Sequence, residues 1–67
     1  MNKQTKLIAY RKDKKLTMER ISTLMGVSRS YYEKVEYGSE TAGLGFIKKF
    51  MTAFPDADII EIFFKEN

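Results

Sequence analysis

The side chains best suited to contacting a ligand in this sequence form a short polar group that follows Ser28. Its members offer charged and neutral hydrogen-bond donors together with one carboxylate acceptor, and they are Arg29, Ser30, Glu33 and Lys34. On a helix they lie about 100° to 240° from Ser28, whereas Tyr32 and Val35 lie on the side of Ser28. The group is therefore expected to form an outward face that recognises a ligand through hydrogen bonds. An ordinary solvated helix face would have the same pattern.

The residue types that carry most enzymatic and metal chemistry are missing from the sequence. It has no Cys and no His, so it lacks the thiolate and imidazole groups that supply nucleophiles, proton shuttles and zinc ligands. Asp56, Asp58 and Glu61 resemble a carboxylate cluster, but Asp58 and Glu61 have the D-x-x-E spacing of a helix capping box, which needs no ion. The sequence therefore predicts a protein that is not an enzyme and that binds no metal or cofactor.

Charge is distributed unevenly along the chain. Residues 1–34 hold nine Lys and Arg against three acids, a balance of +6, whereas residues 35–67 hold three against six, a balance of −3. A basic half indicates a polyanionic partner, such as nucleic acid or an anionic surface, and a solvated lysine surface is the simpler alternative. The longest apolar run is Leu7 to Tyr10. It is far shorter than the roughly 18 residues that span a bilayer, so we expect a cytosolic protein with no membrane contact.

Helical spacing of apolar residues predicts a single all-α domain over residues 1–67. Thr17 and Ser28 are favourable N-caps, and Gly26 and Gly38 are favourable C-terminal caps. A short helix, a tight turn and a second helix are therefore predicted between Thr17 and Gly38.

Three further helices are predicted around this unit. The first covers about Lys3 to Lys14, and the last covers Ile59 to Lys65. The one between them ends at Pro55, which cannot continue a helix. Its apolar face is predicted to consist of Leu44, Ile47, Phe50, Met51 and Phe54.

The residues of the central unit make the pattern more specific. They read Leu16-Thr17-Met18-Glu19-Arg20-Ile21-Ser22, then Gly26-Val27-Ser28-Arg29-Ser30-Tyr31-Tyr32, then Val35-Glu36-Tyr37-Gly38. The string resembles the phage Cro and repressor helix-turn-helix family, also called the xenobiotic-response-element family, over about Lys6 to Phe54. The resemblance implies an all-α, five-helix DNA-binding domain whose helix-turn-helix unit covers about residues 17–38.

The resemblance also implies roles for the polar face. In this motif the N-terminal residues of the second helix enter the major groove, so Arg29 and Ser30 are the leading base readers, followed by Lys34. Arg29 is expected to bind guanine O6 and N7, and Glu33 to accept from cytosine N4 or to repel wrong sites. The family pairs Arg11 with an acid at the end of this helix, where Glu36 stands here. Two unrelated surface charges are the alternative.

Phosphate contacts are expected from backbone amides at helix N-termini and from small polar groups. Tyr31 is predicted either to pack on the first helix, towards the core, or to send its hydroxyl to a phosphate, and Tyr32 is predicted to lie in the core. Met18 stands where the family commonly has glutamine, and Ser39 and Glu40 stand where it has a basic loop. The other phosphate candidates are Arg11, Thr17, Met18, Tyr37, Gly38 and Ser39.

The last predicted helix is apolar on more than one side, through Ile59, Ile60, Ile62, Phe63 and Phe64. These residues are predicted to form a homodimer interface, and packing over the chain's own core is the alternative. A twofold dimer would place two recognition helices about one DNA turn apart on a pseudo-palindromic operator. We therefore expect a transcriptional regulator of phage or mobile-element type, bacterial or phage-encoded. The alternative is an interaction module of the same fold that modulates another repressor through this apolar helix.

Overall fold

A computed structural model describes residues 3–65, and within that range it contains helices and no strands. The elements are α1 (Thr5–Asp13), α2 (Met18–Met25), α3 (Arg29–Tyr37), α4 (Leu44–Ala53) and a π-helical segment (Ile60–Phe64). The predicted all-α, five-helix architecture is therefore confirmed. The first two and last two residues of the predicted domain lie outside the described residues. None of the helices in residues 3–65 has the length and apolar character that crossing a bilayer requires.

The boundaries of α2 and α3 follow the caps that the sequence predicts. Thr17 Oγ1 accepts a backbone N–H three residues on at 3.0 Å, and Ser28 Oγ does the same at 3.1 Å. Gly26 and Gly38 end the two helices in the left-handed region, with φ of 75° and 87°. Each cap satisfies backbone groups that a helix end leaves without a partner.

One core joins all the helices. The side chains with no exposed surface are Leu7 from α1, Ile21 from α2, Tyr32 and Val35 from α3, and Phe50 from α4. The prediction that Tyr32 lies in the core is thus confirmed. The π-helical segment adds Ile62 to the same core, so the orientation of α3 depends on packing against the other elements.

The buried face of α4 differs from the predicted one. Phe46, Ile47 and Phe50 are buried, whereas Leu44 is 69% exposed and Met51 is 48% exposed. The ring of Phe46 packs against three aromatic rings from α3 and the π-helical segment, at centroid distances of 5.8 to 6.2 Å. These partners are distant in sequence, so aromatic packing between elements sets the rotation of α4.

The last element is π-helical where an α-helix was predicted from Ile59 to Lys65. The Asp58 carboxylate accepts the Glu61 backbone N–H at 3.1 Å, which is the predicted cap. The Glu61 carboxylate accepts from the Lys6 ammonium of α1 at 2.6 Å. This hydrogen bond, with a further contact to Lys65, lowers the pKa of Glu61. The segment is thus tied to α1 by an ion pair.

Candidate nucleic-acid interface

The turn between α2 and α3 is closed by its own backbone. The Val27 N–H donates to the Ser22 carbonyl at 3.0 Å across the left-handed Gly26. The same arrangement ends α3, where the Ser39 N–H donates to the Lys34 carbonyl at 2.9 Å. Bonds of this kind satisfy the last carbonyls of a helix and fix the direction in which the chain leaves it. The start of α3 is therefore presented in one orientation.

Replacing Ser28 by Ala is expected to lower the free energy of unfolding by about 1 kcal/mol, because the Tyr31 N–H loses its side-chain acceptor. Urea denaturation followed by circular dichroism measures this loss. Ser30→Ala is the matched control, because Ser30 is exposed in the first turn of the same helix; its effect is expected to stay within about 0.5 kcal/mol. Equal losses in the two variants would contradict a capping role for Ser28.

The polar face of α3 lies opposite its buried face. Tyr32 and Val35 have no exposed surface. In the polar group, Arg29, Ser30 and Lys34 are exposed. Glu33 is half-buried. The predicted division of α3 into an inner apolar face and an outer polar face is therefore present. The outer face offers a guanidinium, a hydroxyl and an ammonium to a ligand.

Five of the residues predicted to contact phosphate occupy the start of α2 and the end of α3. Thr17 and Ser39 are exposed, Tyr37 is half-exposed, and Met18 and Gly38 are half-buried. These two chain segments meet around one surface cavity of about 190 Å³, whose lining includes Arg11, Met18 and Tyr37. The structure thus brings together three of the predicted phosphate-contact residues.

Tyr31 lies apart from that cavity. It is half-buried, and its ring packs edge-on against Phe46 with a centroid distance of 5.8 Å. Edge-on contacts of this kind stabilise aromatic pairs in protein cores. The ring of Tyr31 is thus packed against the core through α4, and a contact of its hydroxyl with phosphate stays a prediction.

The ion pair expected between Arg11 and Glu36 is present. Arg11 Nε donates to Glu36 Oε2 at 2.7 Å, and Nη2 donates to Oε1 at 3.2 Å. Arg11 Nη1 donates to the Leu16 carbonyl at 3.0 Å. The Tyr32 hydroxyl donates to Glu36 Oε2 at 2.7 Å. Only 3% of the Glu36 side chain is exposed, so a buried carboxylate with three donors joins α1 to α3.

This network shifts the pKa values of the two residues that donate to Glu36. The hydrogen bond to Glu36 raises the pKa of Arg11, so its guanidinium stays charged. Burial raises the pKa of Tyr32 far above its ordinary value, and the hydrogen bond to the Glu36 carboxylate raises it further. The folded protein therefore holds the Tyr32 hydroxyl protonated in alkaline solution.

Alkaline titration is expected to report on Tyr32. In the unfolded chain a tyrosine ionises near pH 10, whereas folded Tyr32 keeps its proton. Above about pH 10 the folded state thus binds one more proton, and this group makes the free energy of unfolding fall by about 1.4 kcal/mol per pH unit. Tyr32→Phe should remove that part of the slope, and Tyr37→Phe, at a half-exposed position, should keep it. Identical slopes for wild type and Tyr32→Phe in urea titrations at several pH values would contradict this.

The apolar residues predicted for a dimer interface separate into two groups. Three of them pack on the chain's own core: Ile59, Ile62 and Phe63. Ile60 is 60% exposed and Phe64 is 63% exposed. The segment therefore has apolar side chains on more than one side, and not all of them face the core. This agrees with the sequence pattern. A dimer interface stays a prediction, and Ile60 and Phe64 are its exposed members.

Two lysines that were not among the predicted contact residues lie beside them in the structure. Lys3 and Lys12 line the same cavity as Arg11. The Lys3 ammonium lies 5.5 Å from the centroid of the Tyr37 ring. Lys12 directly follows Arg11, and that adjacency was a usable signal. The contact between Lys3 and Tyr37 joins residues that are far apart in the chain, so no local sequence pattern predicts it.

A family model described as helix-turn-helix matches residues 7–59. The matched range begins within α1 and extends past α4, so it contains the polar face of α3 and the network around Glu36. No curated protein and no solved structure matches the chain.

Proposed function

The chain belongs to the helix-turn-helix family of DNA-binding regulators, of the phage Cro and repressor type, and from this premise we propose a sequence-specific transcriptional regulator of phage or mobile-element origin. In this proposal α3 lies in the major groove of double-stranded DNA. The observation that carries it is the exposed polar face at Arg29, Ser30 and Lys34, opposite a fully buried face. A helix packed in this way presents the same side chains to every DNA sequence it meets.

Base recognition is assigned to the first turns of α3. Arg29 is the only residue of the polar face with a guanidinium, and its two-point contact with guanine discriminates by about 1 to 3 kcal/mol. Ser30 donates to or accepts from several bases. Lys34 favours acceptors such as guanine O6, and Glu33 accepts from cytosine N4 or repels other bases. Arg29 therefore supplies most of the sequence preference.

Positioning on the duplex is assigned to the phosphate contacts at the start of α2 and the end of α3. The candidates from the backbone and small polar groups are Thr17, Met18, Tyr37, Gly38 and Ser39. Arg11 has five N–H groups, of which three donate to Glu36 and Leu16. The remaining two are available to a phosphate oxygen. Contacts of this type set register and carry no sequence information.

We propose that the protein is a homodimer, which the exposure of Ile60 and Phe64 supports. A second copy of the same surface would cover both side chains, and a twofold axis would direct two α3 helices at a pseudo-palindromic operator. Sedimentation velocity across a range of protein concentrations tests this. Wild type is expected to shift from monomer to dimer, and Ile60→Asp with Phe64→Asp to stay monomeric. A monomeric wild type at all concentrations would remove the dimer from the proposal.

Salt-dependent DNA binding tests the proposed function. Fluorescence anisotropy with a mixed-sequence duplex is measured between about 50 and 200 mM salt. A protein that neutralises Z phosphates gives a log-log slope of about −0.9Z. We expect a clearly negative slope that corresponds to several phosphates. Absence of binding, or binding with no slope, would contradict a DNA-binding role.

The second candidate function is an interaction module of the same fold that modulates another repressor. The exposed Ile60 and Phe64 favour it, as does Glu40 in the loop after α3, where the family has basic residues. An apolar protein contact has little salt dependence, so the same titration separates the two candidates. In either case the proposed site of action is the cytoplasm of a bacterial cell, for a protein that is bacterial or phage-encoded.

A further inference from the structure

The cavity between α1, the start of α2 and the end of α3 carries an excess of positive charge. Three cations line it, Lys3, Arg11 and Lys12, and they face one carboxylate, Glu36. That carboxylate already accepts hydrogen bonds from Arg11 and from the Tyr32 hydroxyl. Its charge is therefore compensated within the protein, and the ammonium groups of the two lysines remain for an external anion.

The chain before α1 is held at this cavity by contacts with α3. The Gln4 N–H donates to the Glu36 carbonyl at 2.9 Å. The Lys3 ammonium lies over the Tyr37 ring at 5.5 Å from its centroid, within the range of a cation–π contact. Lys3 is thus placed beside the last turn of the proposed recognition helix. Lys12 reaches the same cavity from α1.

We propose that Lys3 and Lys12 bind one phosphate of the DNA backbone in this cavity, with the free N–H groups of Arg11 between them. The proposal rests on the DNA-binding function above. It compensates for Met18, which lines the same cavity and offers no side-chain donor. A contact of this kind positions the protein on the duplex and carries no sequence information.

The double variant Lys3→Gln with Lys12→Gln tests the proposal in anisotropy titrations with a mixed-sequence duplex. Loss of one phosphate contact is expected to reduce the magnitude of the log-log salt slope by about 0.9. The matched control is Lys48→Gln with Lys49→Gln, which removes the same charge from a different groove, between α2 and α4. The control is expected to leave the slope within error of wild type. Urea midpoints of both variants verify that each remains folded.

The possible outcomes distinguish failure of the proposed phosphate site from failure of the proposed DNA-binding function. If wild type binds DNA with a steep salt slope and both double variants change it equally, the lysines act only through net charge and the phosphate site is overturned. If wild type shows no salt-dependent binding, the DNA-binding function fails, and the site fails with it. Titration of the free protein with inorganic phosphate covers the other source of this anion. Saturable binding there, with an unchanged DNA slope in the Lys3 and Lys12 variant, would also overturn the proposal.

Discussion

Replacing Glu36 by Ala is expected to lower the free energy of unfolding by about 3 to 5 kcal/mol, the usual cost of removing one partner from a buried ion pair. Glu36 accepts from Arg11 at two points and from the Tyr32 hydroxyl. Without it, a guanidinium whose side chain is 11% exposed keeps only the Leu16 carbonyl as an acceptor, and a fully buried hydroxyl loses the carboxylate to which it donates. Native proteins have stabilities of only about 0.05 to 0.15 kcal/mol per residue, which is about 3 to 10 kcal/mol for 67 residues, so the variant should lose a large part of its stability.

Urea denaturation followed by circular dichroism measures this effect, with two further variants to isolate its cause. Glu40→Ala removes an exposed carboxylate just after α3 and is expected to change stability by less than about 0.5 kcal/mol. Arg11→Met, Tyr32→Phe and Glu36→Leu combined replace the network by apolar side chains and should recover most of the loss, because neither a buried charge nor an unpaired buried hydroxyl remains. A loss below about 1 kcal/mol in Glu36→Ala would contradict a structural role for the pair.

Replacing Phe63 by Ala is expected to lower the free energy of unfolding by about 2 to 3 kcal/mol, somewhat below the cost for a fully buried Phe. The Phe63 ring packs edge-on against Phe46 and Phe50 of α4, with centroid distances of 6.2 and 5.2 Å. Its removal leaves a cavity beside two buried rings. The π-helical segment then keeps fewer contacts with the core.

The neighbouring residue provides a matched control for this prediction. Phe64 is the same residue type in the same segment, but it is 63% exposed. Phe64→Ala is therefore expected to change stability by less than about 0.5 kcal/mol. Thermal or urea unfolding of both variants makes the comparison. Equal losses would contradict the packing of Phe63, and a larger loss in Phe64→Ala would reverse the assignment of inner and outer faces.

The parts of the fold that local chemistry determines could be predicted from the sequence. Thr17 and Ser28 begin α2 and α3, and Gly26 and Gly38 end them, as the caps predicted. Each of these choices depends on a hydrogen bond or a backbone angle within a few residues. The inner and outer faces of α3 were also predictable, because a regular helix has a known angular period.

The parts that depend on contacts between distant residues could not be predicted in this way. Phe46, and not Leu44, faces the core because aromatic rings from other elements surround it. In a π-helix the backbone bonds span five residues, so the period of an α-helix does not predict which side chains face inward. The separation of Phe63 from Phe64 therefore required the structure.

The candidate site also combines features that were predictable before the structure with one that depends on a contact between distant residues. The polar face of α3 follows from local spacing, and the Arg11 and Glu36 pair was expected from the family resemblance. The approach of Lys3 to Tyr37 depends on how the chain before α1 lies against α3. A local sequence pattern contains no information about that contact, because the two residues are far apart in the chain.

Selection of DNA from a randomised duplex pool, with wild type and Arg29→Ala in parallel, tests the central claim that α3 reads DNA sequence. Wild type is expected to enrich a pseudo-palindrome, and Arg29→Ala to lose preference at one base pair in each half-site, by about 1 to 3 kcal/mol. Arg20→Ala, which removes an exposed arginine from α2, should keep the wild-type preference. If wild type enriches no sequence, or if Arg29→Ala keeps the wild-type preference, recognition through α3 is contradicted.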